Sequence, residues 1–279
     1  MTTAEAPLGV VGSATNPMLQ ITDAELRFGR FQLFNDLSLS MGQVGQPSLV
    51  ALIGTNGSGK SALANVVSGY YRLSAGSVLI RDRDMTRLGP AERARQGVRR
   101  SFQNVSGVGG MTLLSYVTLG WEPVWGQSVL NTVIGLPKAR RAERDAAERT
   151  LALLGDAGLG KYFDQPLESC PYGVRKVADV VRAIGTAPGT VALLDEPTSG
   201  VSQSERGTVL DVIRSAFAGG QCQLAIVIDH DVAFVRELCP SSIVLEAGKV
   251  LASGRTEDVL QMERVAVSFA GVKERGAAP

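Results

Sequence analysis

The sequence predicts an α/β fold: a mostly parallel core, fronted by a short antiparallel β subdomain and interrupted by an inserted α-helical subdomain. Three observations carry this prediction. Apolar runs of buried-strand length, at 48–53, 191–194, 224–228 and 242–245, alternate with helical stretches. The first of these runs passes directly into a glycine-rich turn and then a helical stretch from Lys60. From about 104 to 185 the strand pattern gives way to helical patterns.

The elements follow in order. Residues 1–17, rich in Ala, Thr, Gly and Pro, read as a flexible tail. Residues 18–41 alternate in places and carry Phe28, Phe31, Phe34, Leu37 and Leu39, which suggests short antiparallel strands, and 41–47 reads as a loop. Residues 76–85 look like one further strand, and Pro90 is well placed to open a short helix. The clearest helix of the insertion spans 138–154. Ala142, Ala146, Thr150 and Leu153 share one face, and the pairs Arg141–Asp145, Arg144–Glu148 and Asp145–Arg149 support it. Strand and helix then alternate again, with a last strand over 249–253. The main domain is expected to span 18–264, with 265–279 as a loosely held tail.

Composition narrows the function classes. The 279 residues are 44% hydrophobic and 20% charged, with a formal net charge of +1, which suits a packed core and argues against a sequence-independent grip on nucleic acid. No apolar run approaches the roughly 20 residues needed to cross a bilayer, and no signal-peptide pattern opens the chain, so a cytosolic location is expected. Cys170, Cys222 and Cys239 are widely spaced without a CxxC, which suggests buried or incidental thiols.

Two motifs carry chemistry. Gly54-Thr55-Asn56-Gly57-Ser58-Gly59-Lys60-Ser61 fits G-x-x-x-x-G-K-[ST] at every position. Its glycines let backbone N–H groups curl around phosphate oxygens. Lys60 brings a charge to the β and γ phosphates, and Ser61 can place its hydroxyl on Mg²⁺. The next residue, Ala62, offers no second hydroxyl. The second motif is an apolar strand ending in Asp195 and Glu196. Asp195 can hold Mg²⁺, and Glu196 can polarise an attacking water. A small-molecule kinase or a GTPase would also fit a phosphate loop by itself.

The remaining pattern resembles the ATP-binding cassette (ABC) family of P-loop ATPases with a RecA-like core. Gln103 in Ser101-Phe102-Gln103-Asn104 looks like the family's Q-loop glutamine, a Mg²⁺ and water contact that relays to the permease. Cys170-Pro171-Tyr172-Gly173-Val174 stands where the family signature falls, before a helix expected from Arg175. Gly200-Val201-Ser202 sits at the D-loop, and His230, the one histidine of the chain, matches the switch histidine. Phe28 resembles the aromatic that stacks on adenine, with Phe31 as the rival. The stretches 97–104, 111–117, 152–159 and 171–173 look like the ATPases of branched-chain amino acid importers, a group with urea and amide uptake relatives. The resemblance implies ATP and Mg²⁺ as cofactors, and a site at the cytoplasmic membrane face. It also implies a second ATPase subunit, two permease subunits and, indirectly, an extracytoplasmic solute-binding protein. The alternative within the family is a non-transport or exporter-type ATPase.

The signature departs from the family pattern. Pro171 has neither a hydroxyl nor an N–H to offer a phosphate, Val174 replaces Gln, and Ser202 replaces the D-loop acid. In the family one subunit's signature closes over the other's P-loop. These changes are therefore expected to weaken the partner's ATP site and to favour a heterodimer of two different ATPases. Trp121, Val124 and Trp125 are candidates for an exposed docking patch, with core packing the equal alternative.

Overall fold

The computed structural model describes residues 16–102, 105, 110–120, 148, 151–184, 190–218 and 222–275. These fall into two compact units, one ending at Pro90 and resuming at Ile226, the other spanning Ala91–Ala225. The second unit is wider than the expected helical insertion, because it also holds the strands that carry the carboxylates.

The first unit opens with two long strands, β1 (Pro17–Phe28) and β2 (Phe31–Gln43). They pair antiparallel, with Leu19 opposite Met41 and Phe28 opposite Phe31 across the turn. Met18, Ile21, Phe34, Leu37 and Leu39 are buried in the core, and irregularities in the β1–β2 pairing between Ile21 and Arg27 break simple alternation. β3 (Ser48–Gly54) is a continuous buried run and leads through the glycine loop into α1 (Lys60–Val67). β4 (Ala75–Ile80) pairs antiparallel with β1. The expected strand over 76–85 is instead two strands, since β4 turns back into β5 (Arg83–Asp84). The turn residues Arg81 and Asp82 both have positive φ, 51° and 59°, the backbone of a tight two-residue hairpin.

The second unit opens with α2 (Pro90–Arg95), whose first residue closes the first unit, followed by β6 (Val98–Arg100). α3 (Leu113–Thr118) is capped by the Thr112 hydroxyl, which accepts from Ser115 N–H. After a helical stretch at 151–156 come α4 (Tyr172–Ile184), β7 (Thr190–Asp195) and α5 (Gln203–Ala218). β6 and β7 are parallel, with Arg100 opposite Leu193. α4 starts three residues earlier than expected, which makes Tyr172, Gly173 and Val174 its first turn.

β8 (Cys222–Ile228) carries the chain back into the first unit. There follow α6 (Val232–Leu238), β9 (Ser241–Glu246), β10 (Lys249–Arg255), α7 (Thr256–Gln261) and α8 (Glu263–Arg275). β3 runs parallel to β9, which also pairs antiparallel with β10. The expected tail from 265 is a helix through Arg275. Val265 is buried, and the Ser268 hydroxyl donates to the Glu246 carboxylate, so apolar burial and a polar tether hold its first turns. Among the described residues no helix is long and apolar enough to cross a membrane. All three cysteines are free and buried, and burial pushes the Cys222 and Cys239 thiols up to about 12.

Candidate functional site

In the first unit the loop Gly54–Ser61 is built for close approach. Gly54, Gly57 and Gly59 have φ of 151°, 80° and 108°, values that L side chains rarely adopt. A Cβ on Gly54 would run into the Leu245 carbonyl and the Ser58 hydroxyl, and one on Gly59 would meet the Phe34 ring at 2.8 Å. Ser58 N–H closes a turn on the Thr55 carbonyl at 3.1 Å. The Lys60 ammonium folds back over the loop, donating to the carbonyls of Gly54 at 2.7 Å and Thr55 at 2.9 Å. The Ser58 Oγ is buried without a hydrogen-bond partner. α1 carries no acidic residue in its first turn, so its positive dipole end is not neutralised there. The exposed Ser61 and buried Ala62 follow Lys60 on this helix. A central ammonium, an orphaned buried hydroxyl and a helix N-terminus fit an extended chain of phosphate groups.

His230 lies in the same unit, just before α6. Its side chain is 75% exposed, with Nδ1 3.8 Å from the buried Asp229 Oδ1. Asp229 also accepts the Asp231 N–H at 2.9 Å, and Asp231 caps α6 by accepting from Phe234 N–H at 3.0 Å. The imidazole is thus carried on a rigid, acid-lined turn. Phe28 is 44% exposed and Phe31 63%. Tyr71 braces the Phe28 ring edge-on, at 5.1 Å and 74°. Phe28 thus has an aromatic neighbour, and Phe31 is the more exposed ring of the two.

In the second unit β7 delivers Asp195 and Glu196. The Asp195 N–H donates to the Ser101 hydroxyl at 2.8 Å, and its carboxylate pairs with the Arg100 guanidinium at 2.8 Å. Glu196 has φ of 47°, a left-handed conformation for a non-glycine residue. Such a backbone costs about 1–3 kcal/mol and persists where the surroundings impose it, commonly at functional sites. The turn Ser199 N–H to Glu196 carbonyl, 3.1 Å, is one such constraint. Asp195 offers hard anionic oxygen of the kind Mg²⁺ takes. Gln103, expected to be the third Mg²⁺ contact, lies outside the described residues, as do Trp121, Val124, Trp125 and residues 138–147, 149 and 150 of the expected helix 138–154.

The segment just before Gln103 is strongly anchored. The fully buried Asp179 of α4 accepts the Phe102 N–H at 2.6 Å and the Tyr116 hydroxyl at 2.6 Å. It is also paired with Arg182 at 2.6 Å. Arg182 in turn donates to the Arg100 carbonyl at 2.8 Å, and its guanidinium lies 4.2 Å from the centroid of the Phe102 ring. Burial and the Asp179 charge push the Tyr116 hydroxyl well above its ordinary value.

The signature region has a different character. Cys170 is buried, its thiol raised by that burial, and it donates weakly to the Pro166 carbonyl. The Pro171 carbonyl accepts the first helical bond, from Arg175 N–H at 3.1 Å, so Pro171 stands at the cap of α4 with no side-chain acceptor. Tyr172 covers Gly200, where a Cβ would meet its ring at 2.9 Å. Gly173 is packed directly against the Glu205 carboxylate, which occupies the space a Cβ would need. Glu205 is held there by the Ser202 N–H and hydroxyl, both at 2.7 Å, and these bonds lower its pKa. Val174 is buried beneath this turn.

Sequence reasoning missed Arg100, Tyr116, Asp179, Arg182 and Glu205. Two signals were present. Asp179 is a carboxylate inside the apolar run Val177-Ala178-Asp179-Val180-Val181, and Ser202-Gln203-Ser204-Glu205 is a capping box.

A family model described as "ABC transporter" matches residues 34–199. The high-affinity branched-chain amino acid transport ATP-binding protein LivG of Escherichia coli (strain K12) is 26% identical over 257 residues, covering 92% of this chain and 99% of that protein. The probable branched-chain amino acid transport ATP-binding protein LivG of Methanocaldococcus jannaschii is 29% identical over 237 residues, covering 84% and 88%. Among solved structures, the ADP conformation of MJ1267, an ATP-binding cassette of an ABC transporter, superimposes with a TM-score of 0.75 at 27% identity, covering 92% of this chain and all of that one.

Proposed function

This chain belongs to the ABC transporter family, and on that premise we propose that it is the ATP-hydrolysing subunit of an importer for branched-chain amino acids or a related amino acid, urea or amide. It works at the cytoplasmic face of the membrane, docked on permease subunits. The observation that carries the reading is the intact phosphate cradle Gly54–Ser61, in a chain matched over 92% of its length by a branched-chain amino acid transport ATP-binding protein.

The roles follow from the chemistry of each side chain. Thr55, Asn56, Gly57, Ser58 and Gly59 wrap backbone N–H groups around the phosphates, and Lys60 neutralises the terminal ones. Phe28 stacks on the adenine. Ser61, Asp195 and Gln103 would hold Mg²⁺, which would supply positive charge against the phosphates. Glu196 accepts a proton from the attacking water. His230 contacts the terminal phosphate and orders the water. Cys170–Val174 face the ATP bound to a second ATPase subunit. With Pro171 and Glu205 at that face, this subunit is a different paralogue carrying an intact signature. Two permeases and an extracytoplasmic solute-binding protein complete the transporter.

The test is purification with the neighbouring permease and ATPase chains, followed by ATPase and vesicle-uptake measurements with Glu196→Gln. General-base loss costs about 100-fold or more in turnover, with nucleotide binding retained and uptake of the amino acid lost. Unchanged turnover rejects the reading.

A further inference from the structure

β6 places two arginines in succession, and alternation along a strand sends their side chains to opposite faces. Arg99 goes inward. It is buried among the carbonyls of Gly120 at 3.0 Å, Val98 at 3.2 Å and Ala94, and burial lowers its pKa to about 10. These hydrogen-bond partners are all main-chain carbonyls. Arg100 goes the other way, to the Asp195 carboxylate. Its side chain is 21% exposed, against 8% for Asp195.

Three features separate this pair from a static brace. The Arg100 main chain is already fixed without it, by pairing opposite Leu193 and by the Arg182 guanidinium on its carbonyl at 2.8 Å. Arg182 is itself locked by Asp179. The Asp195 main chain is likewise fixed, by the Ser101 hydroxyl. The ion pair is therefore not needed to hold either backbone in place, and the Arg100 side chain is partly exposed to solvent.

We propose that Arg100 is the resident counter-cation of Asp195 and withdraws as Mg²⁺–nucleotide binds, so that Mg²⁺ must compete with a guanidinium for its own ligand. This rests on the reading of Asp195 as a Mg²⁺ ligand. Two cations cannot both take a carboxylate oxygen at contact distance without mutual repulsion, so the pair sets the Mg²⁺ concentration at which the site fills. Arg100 is in this sense a positioning residue, acting through Asp195. The full chain of anchors runs from Asp179 and Arg182 on the signature helix to Arg100 and so to Asp195. It ties the readiness of the metal ligand to the seating of α4.

The experiment is a Mg²⁺ titration of ATP binding, read by calorimetry on the purified chain, with thermal unfolding as the check on folding. Arg100→Gln lowers the Mg²⁺ midpoint about tenfold, the size expected for one charge-assisted hydrogen bond. Arg100→Lys, which keeps the charge, leaves the midpoint within about twofold of the parent. Asp195→Asn raises it. An Arg100→Gln midpoint that is unchanged or higher, beside an Asp195→Asn midpoint that rises, overturns this inference alone. An Asp195→Asn midpoint that does not move overturns the assignment of Asp195 as a metal ligand, and the inference with it.

Discussion

Two helix starts, Gly54–Ser61 before α1 and Cys170–Val174 at the head of α4, have opposite electrostatic characters. The first presents the Lys60 ammonium, a buried unpaired hydroxyl and no acidic residue in the opening turn. The second has proline at its cap and a carboxylate, Glu205, packed on its glycine. Both offer a helix dipole with its positive end outward. The contrast teaches that a helix N-terminus becomes a phosphate site through the charges and donors set around it. A helix start with an acid across it disfavours an anion.

The anchorage differs as well. α1 is held by apolar burial of Leu63, Val66 and Val67. α4 also buries most of its side chains, but it depends in addition on the Asp179–Arg182 pair and the bonds that pair makes to Tyr116 and Phe102. Asp179→Ala leaves Arg182 as a buried cation without its carboxylate. The expected cost is about 3–5 kcal/mol in unfolding free energy, measured by urea denaturation. A cost below about 1 kcal/mol would place α4 in the same class as α1, held by apolar contacts alone.

A second way to break the contrast is at Lys60. Lys60→Ala removes a charged donor aimed at phosphate, worth about 2–3 kcal/mol, so ATP affinity falls about 30- to 150-fold by direct titration. Undiminished affinity would mean that the glycine loop is no more a phosphate site than the signature turn. The smallest effect sharpens the contrast from the other side. Pro171→Ser combined with Glu205→Gln restores a hydroxyl at the cap of α4 and removes the opposing charge. ATPase of the full complex rises about 2- to 10-fold, the worth of one neutral hydrogen bond. No rise in turnover would show that these two residues do not limit the partner's ATP site.

The parts legible in the sequence were those whose cause is local. β3 and β8 read as buried strands because their apolar runs are continuous. The phosphate loop read directly because φ above zero demands glycine at fixed spacings. Asp195 and Glu196 stood out because an apolar strand that closes on two acids sets charge at the edge where an α/β sheet builds its site. Where local signals compete, the pattern is less legible. The hairpin at Arg81-Asp82 has neither glycine nor asparagine to announce it, and the small, charged composition from 265 does not announce the helix α8.

Residue type and spacing along the chain determine the strands, the phosphate cradle and the paired carboxylates, since each depends on neighbours a few positions away. Arg100 on Asp195, Tyr116 on Asp179 and Glu205 against Gly173 depend instead on which faces of β6, β7, α3, α4 and α5 meet. Charges that lie far apart in sequence become partners only once packing has removed the water between them, and pattern along a chain carries no record of that.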